Sequence, residues 1–201
     1  MNLLNLVKKN KDIITSAYKQ ARSDIHLELK ESAASHNRML YFQRMYELLG
    51  WNAQTMTLET YDLYWNTFLE EMLLDEDTRN FIEQTKNIKI CLVTDLTTHI
   101  QHRKIKRLNI EDYIDYMVSS EEAGKEKPHP YMFMLALKKL QLNVNDVIMI
   151  GDNLRKDIIG ASNLGIHSFY LSSKKANEIL PEKAFPINQL TDINKWVNFV
   201  G

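Results

Sequence analysis

The chain has 201 residues, 44% of them hydrophobic, and its 25 basic and 26 acidic residues leave a formal net charge of -1. That length suits one domain, or a domain with a sizeable insert, and the even charge balance supplies no global field favouring nucleic acid or an anionic membrane. The single cysteine, Cys91, excludes an internal disulfide and a multi-cysteine zinc site, and no apolar stretch approaches the length needed to span a bilayer. Met1 and Asn2 are followed by LLNLV and then lysines, the reverse of a signal peptide's charge order, so the sequence reads as a soluble cytoplasmic protein.

Up to about Asp75 no strand signal bounded by turns occurs. Residues 11–30 contain neither Gly nor Pro and set Ile14, Tyr18, Ala21 and Ile25 near helical spacing. Residues 33–49 carry a stripe of Met39, Phe42, Tyr46 and Leu49, closed by Gly50 as a C′ glycine would close it. A third helix, from about 56 to 74, places Tyr61, Trp65, Phe68 and Met72 on one face. Together these predict a small antiparallel bundle over residues 1–75, with the aromatic stripes as core and with His26 and His36 at the surface or in caps.

Beyond Asp75 the pattern changes. A helix over 76–86 leads into a strand at 88–93, a basic helix at about 98–108 and a short strand at 116–118. Pro130 then opens a helix carrying Phe133, Leu137 and Leu140. A strand at 147–150, a helix at about 155–164 and a strand at 166–171 follow, and Thr191 caps a last helix with Ile193, Trp196 and Val200. Strands alternating with helices indicate an α/β second part, residues 76–201, built on a parallel sheet covered on both faces. The basic helix, with His99, His102, Arg103, Lys104, Lys106 and Arg107, reads as a solvated face.

Three polar positions punctuate the α/β part. In VIMIGDNLRKD (147–157) an unbroken apolar run stops at Gly151, which reads as a strand buried on both faces. Asp152 emerges at the strand's carboxyl end, the edge where open α/β sheets bind ligands, and Asp157 opens the next helix. Two carboxylates there suit a hard cation such as Mg²⁺, although a turn residue and a helix-start residue would look the same. Thr94 and Asp95 stand at the end of the strand over 88–93, where a hydroxyl and free N–H groups either hold a phosphate oxygen or cap the next helix. Lys127, held extended by Pro128, places a fixed positive charge near a phosphate or carboxylate, or is simply solvated like its neighbour Lys125.

Taken in order, these segments resemble the haloacid dehalogenase-like superfamily, in its subfamily with a helical cap near the amino end. VTDLTTHIQHRKIKRLNI is similar to the second motif region of that family, SSEEAGKEKPHPYMF to the third and IMIGDNLRKDIIGASNLGI to the fourth. The resemblance covers most of residues 85–171, and the helical 1–75 resembles the inserted cap. It implies a Rossmann-like core and a Mg²⁺-dependent phosphohydrolase for a small phosphorylated substrate, phosphatases being commoner in the family than dehalogenases. Thr94 would hydrogen-bond the transferring phosphoryl group, and Lys127 would neutralise charge on it. Asp95 would contribute its backbone N–H with its side chain turned away. Asp152 would bind Mg²⁺, with Asp157 supporting the metal directly or through water. Such a set agrees with what phosphoryl transfer requires, positioning plus cationic stabilisation of spread negative charge.

One part of the family's pattern is not found. The nucleophile belongs to a DxDxT motif at the end of the first core strand, and the only nearby candidate, LLNLVKKN, offers Asn5, Val7 and Lys9 instead. The expectation is that the first strand lies upstream of Met1. By resemblance it belongs between the strands ending at Thr94 and at Gly151. Leaving both edges bare would orphan backbone groups at about 1–3 kcal/mol each. A second chain, another segment of this one, or a remodelled fold is expected there. The alternative function is a non-catalytic phosphate- or metal-binding module completed by another chain.

Overall fold

A computed structural model describes residues 10–30, 32–172 and 179–195. Its first half is helical: α1 (Lys11–Glu28), α2 (Arg38–Leu48) and α3 (Ala53–Glu71) pack on one another in sequence order, and α4 (Glu76–Gln84) follows. Side-chain caps set three of the starts. Asn37 accepts from Met39 N at 2.9 Å, Asn52 from Thr55 N at 3.3 Å and Asp75 from Thr78 N at 2.9 Å. The Asn37 cap explains why the second helix begins later than expected, leaving 32–37 as turns. Ala21, Phe42, Met45, Tyr46, Tyr61 and Trp65 make the buried cluster between these helices, joined by Ile100 from beyond them. The aromatic stripes are therefore mostly core. Among the described residues no helix is long and apolar enough to cross a membrane.

The second half alternates β1 (Cys91–Thr94), α5 (Thr98–Leu108), β2 (Tyr116–Ser119), α6 (Ser120–Ala123), α7 (Pro130–Leu140) and β3 (Ile148–Gly151). A π-helical segment, Leu154–Ile159, runs into α8 (Gly160–Ser162), followed by β4 (His167–Leu171) and β5 (Ala184–Ile187). All pairings among these strands are parallel, with Val93 opposite Val118, Ile150 opposite Phe169, and Phe169 opposite Phe185. The α/β class with parallel strands is as expected.

Several details differ from the sequence reading. The first strand starts at Cys91 rather than 88, because Ile88 is 62% exposed and Ile90 N is taken by the Asp115 carboxylate at 2.8 Å. β5 escaped notice because Pro186 interrupts it. A proline cannot donate to a ladder, but β5 pairs only with β4 among the described strands, and an edge tolerates one. Thr191 does not cap an α-helix. It lies in a 3₁₀ segment, Leu190–Lys195, where its hydroxyl donates to Asp77 Oδ1 at 2.6 Å; Trp196 and Val200 lie outside the described residues. Nor is α5 simply a solvated face. Arg107 donates to the Leu69 and Glu70 carbonyls at 2.6 and 2.9 Å, satisfying the end of α3, and Arg103 reaches Asn66 Oδ1 at 2.6 Å.

Among the described residues the strands form two separate sheets, β1–β2 and β3–β4–β5, and β1 is not hydrogen-bonded to β3. Burial on both faces, expected for β3, is not found. Ile148 is 39% exposed, and all four residues of β1 are only half-buried. β1 and β3 each have one strand neighbour among the described residues, and their apolar side chains stay partly open.

Candidate active site

The carboxyl ends of β1 and β3 meet at Lys127. Its ammonium donates to the Val93 carbonyl at 2.7 Å, one residue before the end of β1, and lies 2.8 Å from Asp157 Oδ1, in the segment after β3. Both side chains are nearly enclosed, at 12% and 7% exposure. The contact with Asp157 is one of charge rather than an aligned hydrogen bond, since Oδ1 is buried without a hydrogen-bond donor in line. The Lys127–Pro128 peptide is cis, and Pro128 packs where a Cβ at Gly160 would fall, at 3.0 Å.

Gly151 is glycine because of what lies against it. Its φ is not positive; instead, a Cβ there would lie 2.6 Å from Asp157 Cγ, so the glycine makes room for that carboxylate. Asp157 Oδ2 accepts from Asn153 N at 3.1 Å, and the Asn153 carbonyl accepts from both Asp157 N and Ile158 N. The Ile158 bond spans five residues, which is why a π-helical turn replaces the first part of the expected α-helix. Asp152 is exposed and makes no hydrogen bond or ion pair with any described residue.

Thr94 ends β1, and its Oγ1 accepts from the Gln101 amide of α5. Asp95 turns its carboxylate inward to the lysine loop: Oδ1 accepts from Lys127 N at 2.8 Å and Oδ2 from Lys156 Nζ at 2.9 Å. Lys156 also lies 3.5 Å from Glu126 Oε2. Glu126 is 6% exposed, and its other oxygen accepts from Ser35 Oγ at 2.7 Å and lies 2.6 Å from His36 Nδ1. Burial opposes ionisation of Glu126, but the His36 and Ser35 hydrogen bonds and the charges of His36 and Lys156 outweigh it, holding its carboxyl below the usual glutamate range. A relay thus runs from the turn before α2 through Glu126 and Lys156 to Asp95, beside an antiparallel bridge between Ser32 and Lys125.

His36 is therefore half-buried in a network rather than free at the surface, and its ring stands 4.7 Å from that of His26, whose Nε2 is 2.7 Å from the Tyr41 hydroxyl. Burial, then the nearby charge of His36, keeps His26 below its ordinary pKa. Sequence reasoning singled out Thr94, Asp95, Lys127, Asp152 and Asp157, and missed Gln101, Glu126 and Lys156. The signal for Lys156 was available: it lies inside the GDNLRKD segment, beside Asp157.

At the end of β3 stands Asp152, an exposed carboxylate without a partner among the described residues, and five positions on Asp157 buries an oxygen whose one contact is the Lys127 charge. Mg²⁺ is commonly held by one or two carboxylates, with water and phosphate oxygens completing its shell, so these residues fit such an ion. No cluster of three or more potential metal ligands occurs among the described residues.

Comparison with known proteins agrees with this geometry. The family described as haloacid dehalogenase-like hydrolase matches residues 5–171. A ribulose-1,5-bisphosphate 5-phosphatase from Halopiger xanaduensis is 39% identical over 154 residues, covering 75% of this chain and 64% of that protein. The N-acylneuraminate-9-phosphatase of Homo sapiens is 32% identical over 130 residues, covering 64% of this chain and 52% of that protein. The matches thus span from about half to just under two thirds of these relatives' lengths. In shape, a 2-haloacid dehalogenase from Pseudomonas syringae gives a TM-score of 0.76 at 17% identity, covering 99% of this chain and 89% of that one. A magnesium-bound HAD-hydrolase from Bacillus subtilis gives 0.70 at 17%, covering 97% and 89%. At such identities the likeness is one of fold. With a family match over most of its length, and with the matched segments meeting at Lys127, this chain belongs to the haloacid dehalogenase-like hydrolases.

Proposed function

We propose that the chain provides most of a Mg²⁺-dependent phosphohydrolase for a small phosphorylated metabolite, with residues 1–75 as a cap over a core of residues 76–201. The observation that carries this reading is the Lys127 ammonium, shared between the end of β1 and the segment after β3. A fixed cation at that edge is what an in-line phosphoryl transfer requires.

Gln101 donates to Thr94 Oγ1, so the hydroxyl's own proton is left to donate to a phosphoryl oxygen. Lys127 neutralises charge on the same group. Asp95 holds the Lys127 backbone and leaves its own N–H for the phosphate. Asp152 takes the Mg²⁺, while Asp157 orients Lys127 and closes the turn onto Gly151. When bound, the ion supplies further neutralisation of phosphate charge. The attacking carboxylate comes from a strand seated between β1 and β3, from outside the described residues. Asp95 and Glu126 are committed to Lys156, and Asp157 to Lys127 and Asn153.

The test adds a synthetic DxDxT strand peptide to the chain with Mg²⁺ and follows phosphate release from small phosphate esters. Release that depends on the peptide and disappears in Lys127→Ala is the expected result; peptide binding without release overturns the reading. A non-catalytic module is the second reading, favoured by Asp152 being the one site carboxylate without a partner among the described residues. It predicts binding of phosphate esters with no turnover under any supplementation.

A further inference from the structure

Two cations, one from each half of the molecule, meet aromatic rings instead of carboxylates. Arg38, the first residue of α2, and Lys104, in α5, are half-buried, and neither meets a carboxylate among the described residues. Arg38 Cζ lies 5.6, 5.9 and 5.8 Å from the ring centroids of Tyr41, Tyr64 and Trp65. Lys104 Nζ lies 5.5 Å from Trp65 and 5.3 Å from Phe68. Arg38 spends Nε on the Tyr64 hydroxyl at 3.4 Å and Nη1 on the His36 carbonyl at 3.3 Å. Lys104 has no hydrogen-bond acceptor among the described residues, whereas the other half-buried lysines, Lys127, Lys139 and Lys156, each have one. Ring faces attract cations but accept none of their N–H groups in the plane of the fork, so these donors stay available. Burial, then the charge of Arg38, pushes the Lys104 pKa down, so this pairing of cations is held at a cost.

The pair is connected to the phosphoryl end of the molecule. Gln101, whose amide contacts Thr94, sits three residues before Lys104 on α5, so the two side chains share a helix face about 5–6 Å apart at Cβ. Leu96, two residues past Thr94, packs into the same cluster as Trp65 and Ile100.

We infer that Arg38 and Lys104 form a second anion subsite, which takes the far phosphate or carboxylate of a metabolite whose transferring phosphoryl group lies at Thr94 and Lys127. The inference rests on the phosphohydrolase reading and adds a substrate class to it: small phosphate esters with two anionic ends. The aromatic rings form the subsite's walls, and the guanidinium and ammonium supply charge-assisted hydrogen bonds to the far group.

Calorimetric titration of the 201-residue chain in Mg²⁺ tests this with two ligand pairs. Ribulose 1,5-bisphosphate is compared with ribulose 5-phosphate, and 3-phosphoglycerate with glycerol 3-phosphate. The doubly anionic member of at least one pair binds at least about tenfold tighter, and the pair that shows it identifies the second group as phosphate or carboxylate. In Lys104→Gln that ratio falls to about twofold or less, Lys104→Arg restores it, and Lys106→Gln, on the exposed side of the same helix, leaves it intact. Equal binding within each pair, or a ratio that survives Lys104→Gln, overturns the subsite. Lys127→Ala separates the two levels. If it abolishes binding of the singly anionic esters while no pair shows a preference, the phosphohydrolase reading stands and the subsite falls. If none of the four ligands binds the parent chain, the phosphate reading falls and takes the subsite with it.

Discussion

Two of the contacts between the helical half and the α/β half follow opposite electrostatic rules. Around Glu126 each buried charge faces an opposite one: His36 and Lys156 flank the carboxylate, and Asp95 completes Lys156. Around Trp65, Arg38 and Lys104 face rings and no acid among the described residues. The difference separates two uses of charge. A compensated network holds elements together, and removing one member leaves the others buried and unpaired. An uncompensated pair lowers stability, and its retention makes sense when something else supplies the missing anion.

The largest effect is expected at the compensated contact. Glu126→Gln removes a carboxylate that is 7% exposed and leaves Lys156 short of a partner, which lowers unfolding free energy by about 3 kcal/mol in denaturant titration. Because the folded-state pKa of Glu126 is depressed, the folded form binds fewer protons there than the unfolded chain. Its contribution is therefore present above the ordinary glutamate range and lost as pH falls through the folded value. The gap between parent and variant closes in that acid window; a gap that stays constant to low pH breaks the compensated picture. Next comes Gly151→Ala, away from both contacts. Its new methyl collides with Asp157, so stability falls by about 2 kcal/mol and binding of phosphate esters weakens as the Lys127 contact is disturbed.

At the uncompensated contact the sign reverses. Lys104→Met keeps the stem against Trp65 and Phe68 but drops the charge, and stability rises by about 0.5–1 kcal/mol, measured by the same titration. Since the folded-state pKa of Lys104 is lowered, the unfolded chain binds more protons in the window just below the ordinary lysine value. The parent therefore gains on the variant as pH rises through that window. A loss of stability in Lys104→Met would erase the contrast between the two contacts.

How much of this could be read from the chain follows from the range of the interactions. β1 and β3 announce themselves through local apolar runs, and α1, α2 and α3 through apolar residues at helical spacing, whereas the caps Asn37 and Asn52 went unread and the starts of α2 and α3 were misplaced with them. Thr94, Lys127, Asp152 and Asp157 were visible because each sits in a short pattern of its own. The Glu126–His36 contact joins residues 90 apart, and no periodicity encodes such a meeting. His36 looked like a surface residue for that reason, and Arg38 and Lys104, 66 positions apart, were equally silent. The π-helical turn was hidden too, because it depends on the Asp157 side chain lying against Gly151 rather than on helix propensity.

The separation of β1 from β3 among the described residues would have a consequence for the strand proposed to enter there. Val93 at the end of β1 and Asp157 after Gly151 meet at Lys127, so the carboxyl ends of both strands lie at one ammonium. A guest that continues the parallel pattern has its direction of travel dictated by its host, and its last paired residue is delivered to that ammonium. Orientation would then be a property of the host, and the proposed strand would need to bring only the right side chain at its tip.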